Sequence, residues 1–177
     1  MARLLSLVSL PLLLAYLVSA GGCSEPSSSG EAVHFDACEP VTVVPAAALT
    51  TGQEAGVRAA IGLWNTTAGT QLLFDADPSA VVAGARLPIR FQAAAAAFHG
   101  FYDEQTGSVF INLDLVDRAQ TIAIAHELGH GFALVHTTAH PSVMRPGNLD
   151  TEPSAADADA LVALWGACPT SEDAATE

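Results

Sequence analysis

The run His126-Glu127-Leu128-Gly129-His130-Gly131-Phe132-Ala133-Leu134-Val135-His136 constrains this chain more than any other feature. Two of its histidines stand four residues apart, with a carboxylate beside the first. On a helix, residues so spaced lie one turn apart on the same face. Their imidazoles can take adjacent corners of a metal tetrahedron, and His136 supplies a third nitrogen. Glu127 sits about 100° round the helix, able to reach a water at the metal without being a ligand. Three protein ligands leave a fourth corner open, as catalytic zinc sites do and structural ones do not.

An H-E-x-x-H run alone is a weak signal. Here a third histidine follows at metal-ligand spacing, and Ser142-Val143-Met144-Arg145-Pro146 comes soon after. Together these stretches resemble the metzincin metalloproteases, whose signature is H-E-x-x-H-x-x-G-x-x-H followed by a Met-turn. Within that group they look most like the matrixin branch. His126, Glu127, His130 and His136 match the motif, and Met144 with Pro146 matches the Met-turn. The resemblance implies one catalytic zinc on His126, His130 and His136, with Met144 as the floor beneath the imidazoles. It implies peptide-bond hydrolysis by a zinc-bound water, with Glu127 as general base. It also implies an α+β, zincin-like fold. That fold has a mixed twisted sheet and two long helices in an N-terminal lobe, with the Met-turn and a C-terminal helix below the zinc cleft.

Two positions depart from the family. Ala133 replaces the motif glycine, which lets the chain leave the helix sharply and swing the third histidine back. A left-handed alanine costs roughly 1–2 kcal/mol, and Gly131 is the other place where the turn can be made. Arg145 stands where many matrixins have tyrosine. Glu152 is a competing third ligand of the thermolysin kind, but His136 has the family spacing and Glu152 has a simpler use near a helix N-terminus.

The 177 residues suggest one domain behind a leader. Met1-Ala2-Arg3 is a basic start, and Leu4 to Val18 is an apolar run too short to span a membrane stably. It reads as a secretory signal. Val18-Ser19-Ala20 suits ordinary signal peptidase, whereas Ala20-Gly21-Gly22-Cys23 resembles a bacterial lipobox and would make Cys23 a lipidated N-terminus. The polar tether Ser24 to Gly30 favours the second reading. The expected boundaries are a signal peptide over 1–22, a flexible tether over 23–33, a protease domain over 34–168 and a disordered acidic tail over 169–177. Three cysteines are an odd number for an exported chain. If Cys23 carries lipid, Cys38 and Cys168 remain to pair and staple the domain's ends. The rival reading of Cys38, a latency thiol on the zinc, lacks the matrixin propeptide motif around it.

The net charge of −13, with six arginines and no lysine, argues against a phosphate backbone as partner. Nucleic acid is therefore excluded, and membrane contact is expected only through an anchor at Cys23. A monomer outside the cytoplasm, acting on protein or peptide, is the expected state.

Along the domain, Val41 to Val44 reads as a first strand ending at Pro45. Thr50 or Thr51 caps a helix with Val57, Ala60, Ile61 and Trp64 on its apolar stripe. Asn65 to Gly69 breaks that helix. Gln71 to Phe74 and Leu87 to Phe91 read as strands, and Ala93 to Ala97 as loop or helical turn. Phe98 to Tyr102 reads as an edge strand along which an extended peptide lies, and Ser108 to Asn112 as its neighbour. Asp117 with Gln120 resembles a capping box ahead of a buried metal-bearing helix, and Ser154 with Asp157 caps the last one. Asp103 and Glu104 are hard-oxygen candidates for calcium, with a solvated acidic turn as the simpler alternative. His34, His99 and His140 read as surface or satisfied polar residues. The rival functional class is a zinc-binding surface lipoprotein without turnover, whose support is Ala133.

Overall fold

The computed structural model describes residues 32–168. The expected signal peptide, the Cys23 anchor and the acidic tail lie outside the described residues.

A five-stranded sheet carries the molecule. Strands β1 (Val41–Pro45), β2 (Leu72–Phe74), β3 (Ala85–Gln92), β4 (Gly100–Asp103) and β5 (Ser108–Asn112) lie in the order β2-β1-β3-β5-β4. β1 pairs in parallel with β2 and β3, and β3 in parallel with β5. β4 alone runs antiparallel, at the edge beyond β5. The β-branched run of β1 is buried throughout, as a strand inside a covered parallel sheet must be. Pro88 interrupts β3 where it is tolerable, because pairing with β5 begins only at Ile89.

Helices α1 (Thr51–Ala68) and α2 (Asp117–Gly131) pack together, and α3 (Ala155–Trp165) follows the metal-motif region. Thr50 caps α1 in a reciprocal box with Gln53. Val57, Ala60, Ile61 and Trp64 form its buried stripe, and the Trp64 indole donates to the Ala125 carbonyl at 2.8 Å, pinning α1 to α2. That bond satisfies the one polar atom of a large buried ring. α2 is buried at nearly every position from Gln120 to Gly131, in keeping with its apolar sequence. Leu87, Ile89, Ile111, Ile122, Ile124 and Leu128 fill the core between sheet and helices.

Three expectations need correction. The capping box at Asp117 and Gln120 does not form. Val116 is the N-cap without a side-chain bond, and Asp117 is the first helical residue at φ 50. The short link from β5 takes up the side chains instead: Asn112 accepts from the Asp114 amide, and Gln120 donates to the Leu115 carbonyl. Asn65 does not break α1, which continues to Ala68 and stops at left-handed Gly69. The Asn65 amide group reaches outward instead, bonding Thr70 and the backbone of Leu72, and so fixes the start of β2. The edge strand begins at Gly100 and not at Phe98, while Ala93 to Ala97 is loop, one of the two readings expected for it.

Cys38, before β1, is disulfide-bonded to Cys168, after α3, across 130 residues of sequence. Among the described residues no helix is long and apolar enough to cross a membrane. In the chain-entropy view a bridge closing so long a loop stabilises by up to about 5 kcal/mol. Replacing Cys38 and Cys168 together by serine should therefore lower the unfolding free energy by about 2–5 kcal/mol, read from the shift in denaturant midpoint at constant slope.

Candidate metal centre

Helix α2 presents His126 and His130 on one face, and the chain must then reverse to bring His136 back. The reversal is made at Ala133. The amide of Ala133 bonds the His130 carbonyl at 2.9 Å, and that of Leu134 bonds the Gly129 carbonyl at 3.0 Å. These are the two bonds of a Schellman turn, and they require a left-handed residue at Ala133, which has φ 69. Gly131 does not adopt that conformation. The strain of roughly 1–2 kcal/mol is held in place by neighbours. Phe132 is buried, and its carbonyl accepts from the Trp165 indole at 2.9 Å.

The result is a cluster of three imidazoles whose ligand atoms all lie within 4.8 Å of one another. His136 Nε2 is 3.1 Å from His126 Nε2 and 3.3 Å from His130 Nε2. His126 Nδ1 lies 2.6 Å from the Val143 carbonyl, and His130 Nδ1 lies 2.8 Å from the Leu134 carbonyl. A carbonyl only accepts, so both Nδ1 atoms carry the proton and both Nε2 atoms offer lone pairs. His136 Nε2 stands within hydrogen-bonding range of both, and with a cation bound all three nitrogens can turn a lone pair to it. Three nitrogens at ~2.0–2.1 Å from a tetrahedral zinc are about 3.3 Å apart, close to the 3.1 and 3.3 Å seen along the two edges that meet at His136. The residues therefore fit zinc. Burial, and then the neighbouring His130, pushes His126 down to about 3, which keeps its imidazole neutral and available as a ligand.

Beneath the cluster, Met144 is buried against α2 at Gly129, where any Cβ would collide with the thioether sulfur. The Thr137 amide bonds the Met144 carbonyl at 3.0 Å, which ties the segment after His136 to the Met144 turn. Asp157, at the start of α3, clamps the same turn. It accepts from the Ser142 hydroxyl, from the Val143 amide at 3.3 Å, and from the Ser154 amide and hydroxyl at 2.8 Å. One buried carboxylate thus caps α3 and holds Val143, the residue whose carbonyl orients His126. The sequence showed Asp157 only as a cap.

Glu127 is fully buried beside the edge strand. A Cβ on Gly100 would lie 3.1 Å from the Glu127 carboxylate and 2.7 Å from the Phe110 carbonyl. Gly100 therefore lets β4 pass directly over this carboxylate. Sequence reasoning missed it, although a glycine inside a strand is itself a signal of close approach. Glu152 is ion-paired with Arg118 at 2.7 Å and stands apart from the cluster. Asp103 spends its oxygens on its own turn, accepting from the Gln105 amide at 3.0 Å and the Thr106 hydroxyl at 2.8 Å. Arg145 is exposed and lines a cavity of about 400 Å³ with Pro146 to Thr151, immediately after Met144.

No family model matches the sequence, and no curated protein matches it. Among solved structures the fold is similar to that of myroilysin, with a TM-score of 0.53 and 14% identity, covering 84% of this chain and 92% of that one. A zinc-dependent peptidase from Methanocorpusculum labreanum also aligns, at a TM-score of 0.42 and 10% identity, over 67% of this chain and 92% of that one. At that score the second likeness carries no weight.

Because Ala133 sits in the left-handed region, Ala133→Gly should remove the strain. The variant should gain roughly 1 kcal/mol of stability and bind zinc at least as tightly, measured by thermal unfolding and chelator competition. A destabilised variant would show that neighbouring contacts, and not the φ angle, set the energy of this turn.

Proposed function

We propose that this chain is an exported zinc endopeptidase of the matrixin type. The single observation that carries the reading is the convergence of three Nε2 atoms, two of them with carbonyl-fixed tautomers, beside a buried carboxylate outside the ligand set. His126, His130 and His136 would hold the metal. Zinc, when bound, supplies a Lewis acid that polarises the scissile carbonyl and brings the pKa of water at the site toward about 7.

The remaining work falls to the protein. Glu127 takes the proton from the attacking water and returns it to the leaving amine. Its position one residue after His126 on a packed helix keeps the carboxylate at fixed reach. β4 is an edge strand with no described strand beyond it, so an extended peptide can add to it through backbone hydrogen bonds. The cavity from Arg145 to Thr151 would receive a substrate side chain. The leader-like N-terminus supports the reading of an exported protein. Cys23 would carry the lipid anchor, and the protein would act as a monomer on protein or peptide, with no nucleic-acid partner. The binding-only alternative drew on Ala133. With His136 at 3.1 Å from His126, that ground is absent.

Glu127→Ala should retain zinc while losing at least ~100-fold in casein hydrolysis, since the carboxylate moves protons and does not ligate. Elemental analysis and turnover measured on the same preparation check this. Near-normal turnover by the zinc-loaded variant would remove Glu127 from the mechanism.

A further inference from the structure

We propose that Asn148 is a positioning residue for the metal ligand His126, acting through the Val143 carbonyl that both side chains share. The inference rests on the zinc site of the peptidase reading above and adds a residue outside the ligand motif and the Met-turn pattern.

The turn that delivers Asn148 is written in the sequence. Pro146 and Gly147 follow Arg145, and the Asn148 amide donates to the Arg145 carbonyl at 3.1 Å. Gly147 has φ 70. A proline second and a left-handed glycine third are what a type II turn requires. The turn sends the chain back on itself, so the half-buried Asn148 side chain meets Val143, five residues earlier.

The side-chain amide then uses its full bonding capacity. Its Nδ2 donates to the Val143 carbonyl at 3.2 Å and to the Thr151 carbonyl at 2.7 Å. Its Oδ1 accepts from the Asp150 amide at 3.2 Å and from the Thr151 amide at 2.9 Å. Carbonyls face one end of the group and N–H donors the other, so its orientation is dictated by its surroundings. The Oδ1 bonds shape residues 148–151, which belong to the cavity lining. The Nδ2 bond to Val143 leaves that loop and reaches the metal site.

At Val143 two partners meet on one oxygen. A carbonyl has two lone pairs, and this one is shared between His126 Nδ1 at 2.6 Å and Asn148 Nδ2 at 3.2 Å. At the other end of the same peptide unit, the Met144 amide donates to the Ser142 hydroxyl oxygen at 2.9 Å. The unit is therefore held from both sides, by Asn148 at its carbonyl and by Ser142 at its N–H. A carbonyl held in this way keeps the His126 ring in one tautomer and one direction, with Nε2 toward the cluster. Without Asn148, that carbonyl keeps only His126 among the described residues and is free to tilt with the ring. One side chain thus braces both the metal ligand and the loop that would receive a substrate side chain.

The test uses the full-length protein. Asn148→Asp keeps an acceptor for the Asp150 and Thr151 amides but sets an oxygen against the Val143 and Thr151 carbonyls, so it breaks the bridge and spares the turn. Asn148→Ala removes both without adding a charge. Asp150→Ala alters the same loop and leaves the Asn148 bonds, which reach only the Asp150 backbone. Zinc Kd is measured by chelator competition, ligand geometry from the visible bands of the cobalt-substituted protein, and kcat and KM with fluorescein-labelled casein at saturating zinc. The proposal expects both Asn148 variants to bind zinc about tenfold more weakly and to shift the cobalt bands, with Asp150→Ala matching wild type in both. It expects kcat to fall about tenfold in Asn148→Asp with KM near its wild-type value, since the ligand is disturbed and the cavity is not. Wild-type zinc Kd and cobalt bands in Asn148→Ala would overturn it, whatever the melting temperature does. So would an equal loss of zinc affinity in Asp150→Ala, which would assign the effect to the loop as a whole. Absence of casein cleavage by wild type would count against the peptidase reading alone, because the zinc and cobalt comparisons need no turnover.

Discussion

Three imidazole rings whose Nε2 atoms converge, 3.1 and 3.3 Å apart along two edges, are an arrangement that contacts remote along the chain must hold. No local preference of the chain brings His136 back over α2. The rest of the structure supplies the restraint. Val143 and Leu134 each present a carbonyl that fixes one ring's tautomer and direction. Each of these carbonyls is in turn held by something more distant.

The restraints converge from below the cluster. Asp157 fixes the Ser142–Val143 turn from α3, and Met144 lies against α2 only because residue 129 has no side chain. Trp165 of α3 holds the Phe132 carbonyl, next to the strained Ala133, and Trp64 of α1 holds the Ala125 carbonyl, next to His126. The two indoles thus grip α2 at its middle and at its end. The Cys38–Cys168 bridge closes the frame at the far end of α3. A site of this kind is built from the outside in, and supporting contacts of this sort commonly affect metal affinity 10–100-fold.

What the sequence revealed follows from how local each signal is. The clustering of His126, His130 and His136 and the caps at Thr50 and Ser154 depend on spacings of a few residues, and the structure has them where those spacings put them. The pairing of Cys38 with Cys168 was legible from the odd count of cysteines, once Cys23 was given another use. The start of α2 was misread because Asp117 and Gln120 have cap-like spacing, while the link from β5 uses their surroundings differently. Gly100, Gly129 and the second role of Asp157 were hidden for one reason. Each matters through a contact with a residue remote along the chain, which periodicity and composition do not register.

The central claim is that the fold presents an open three-imidazole zinc site. X-ray absorption at the zinc edge of the purified full-length protein tests it most directly. The account predicts three imidazole nitrogens and one further oxygen or nitrogen, all at ~2.0–2.1 Å. A sulfur neighbour at ~2.3 Å, or a fit requiring only two imidazoles, would contradict it.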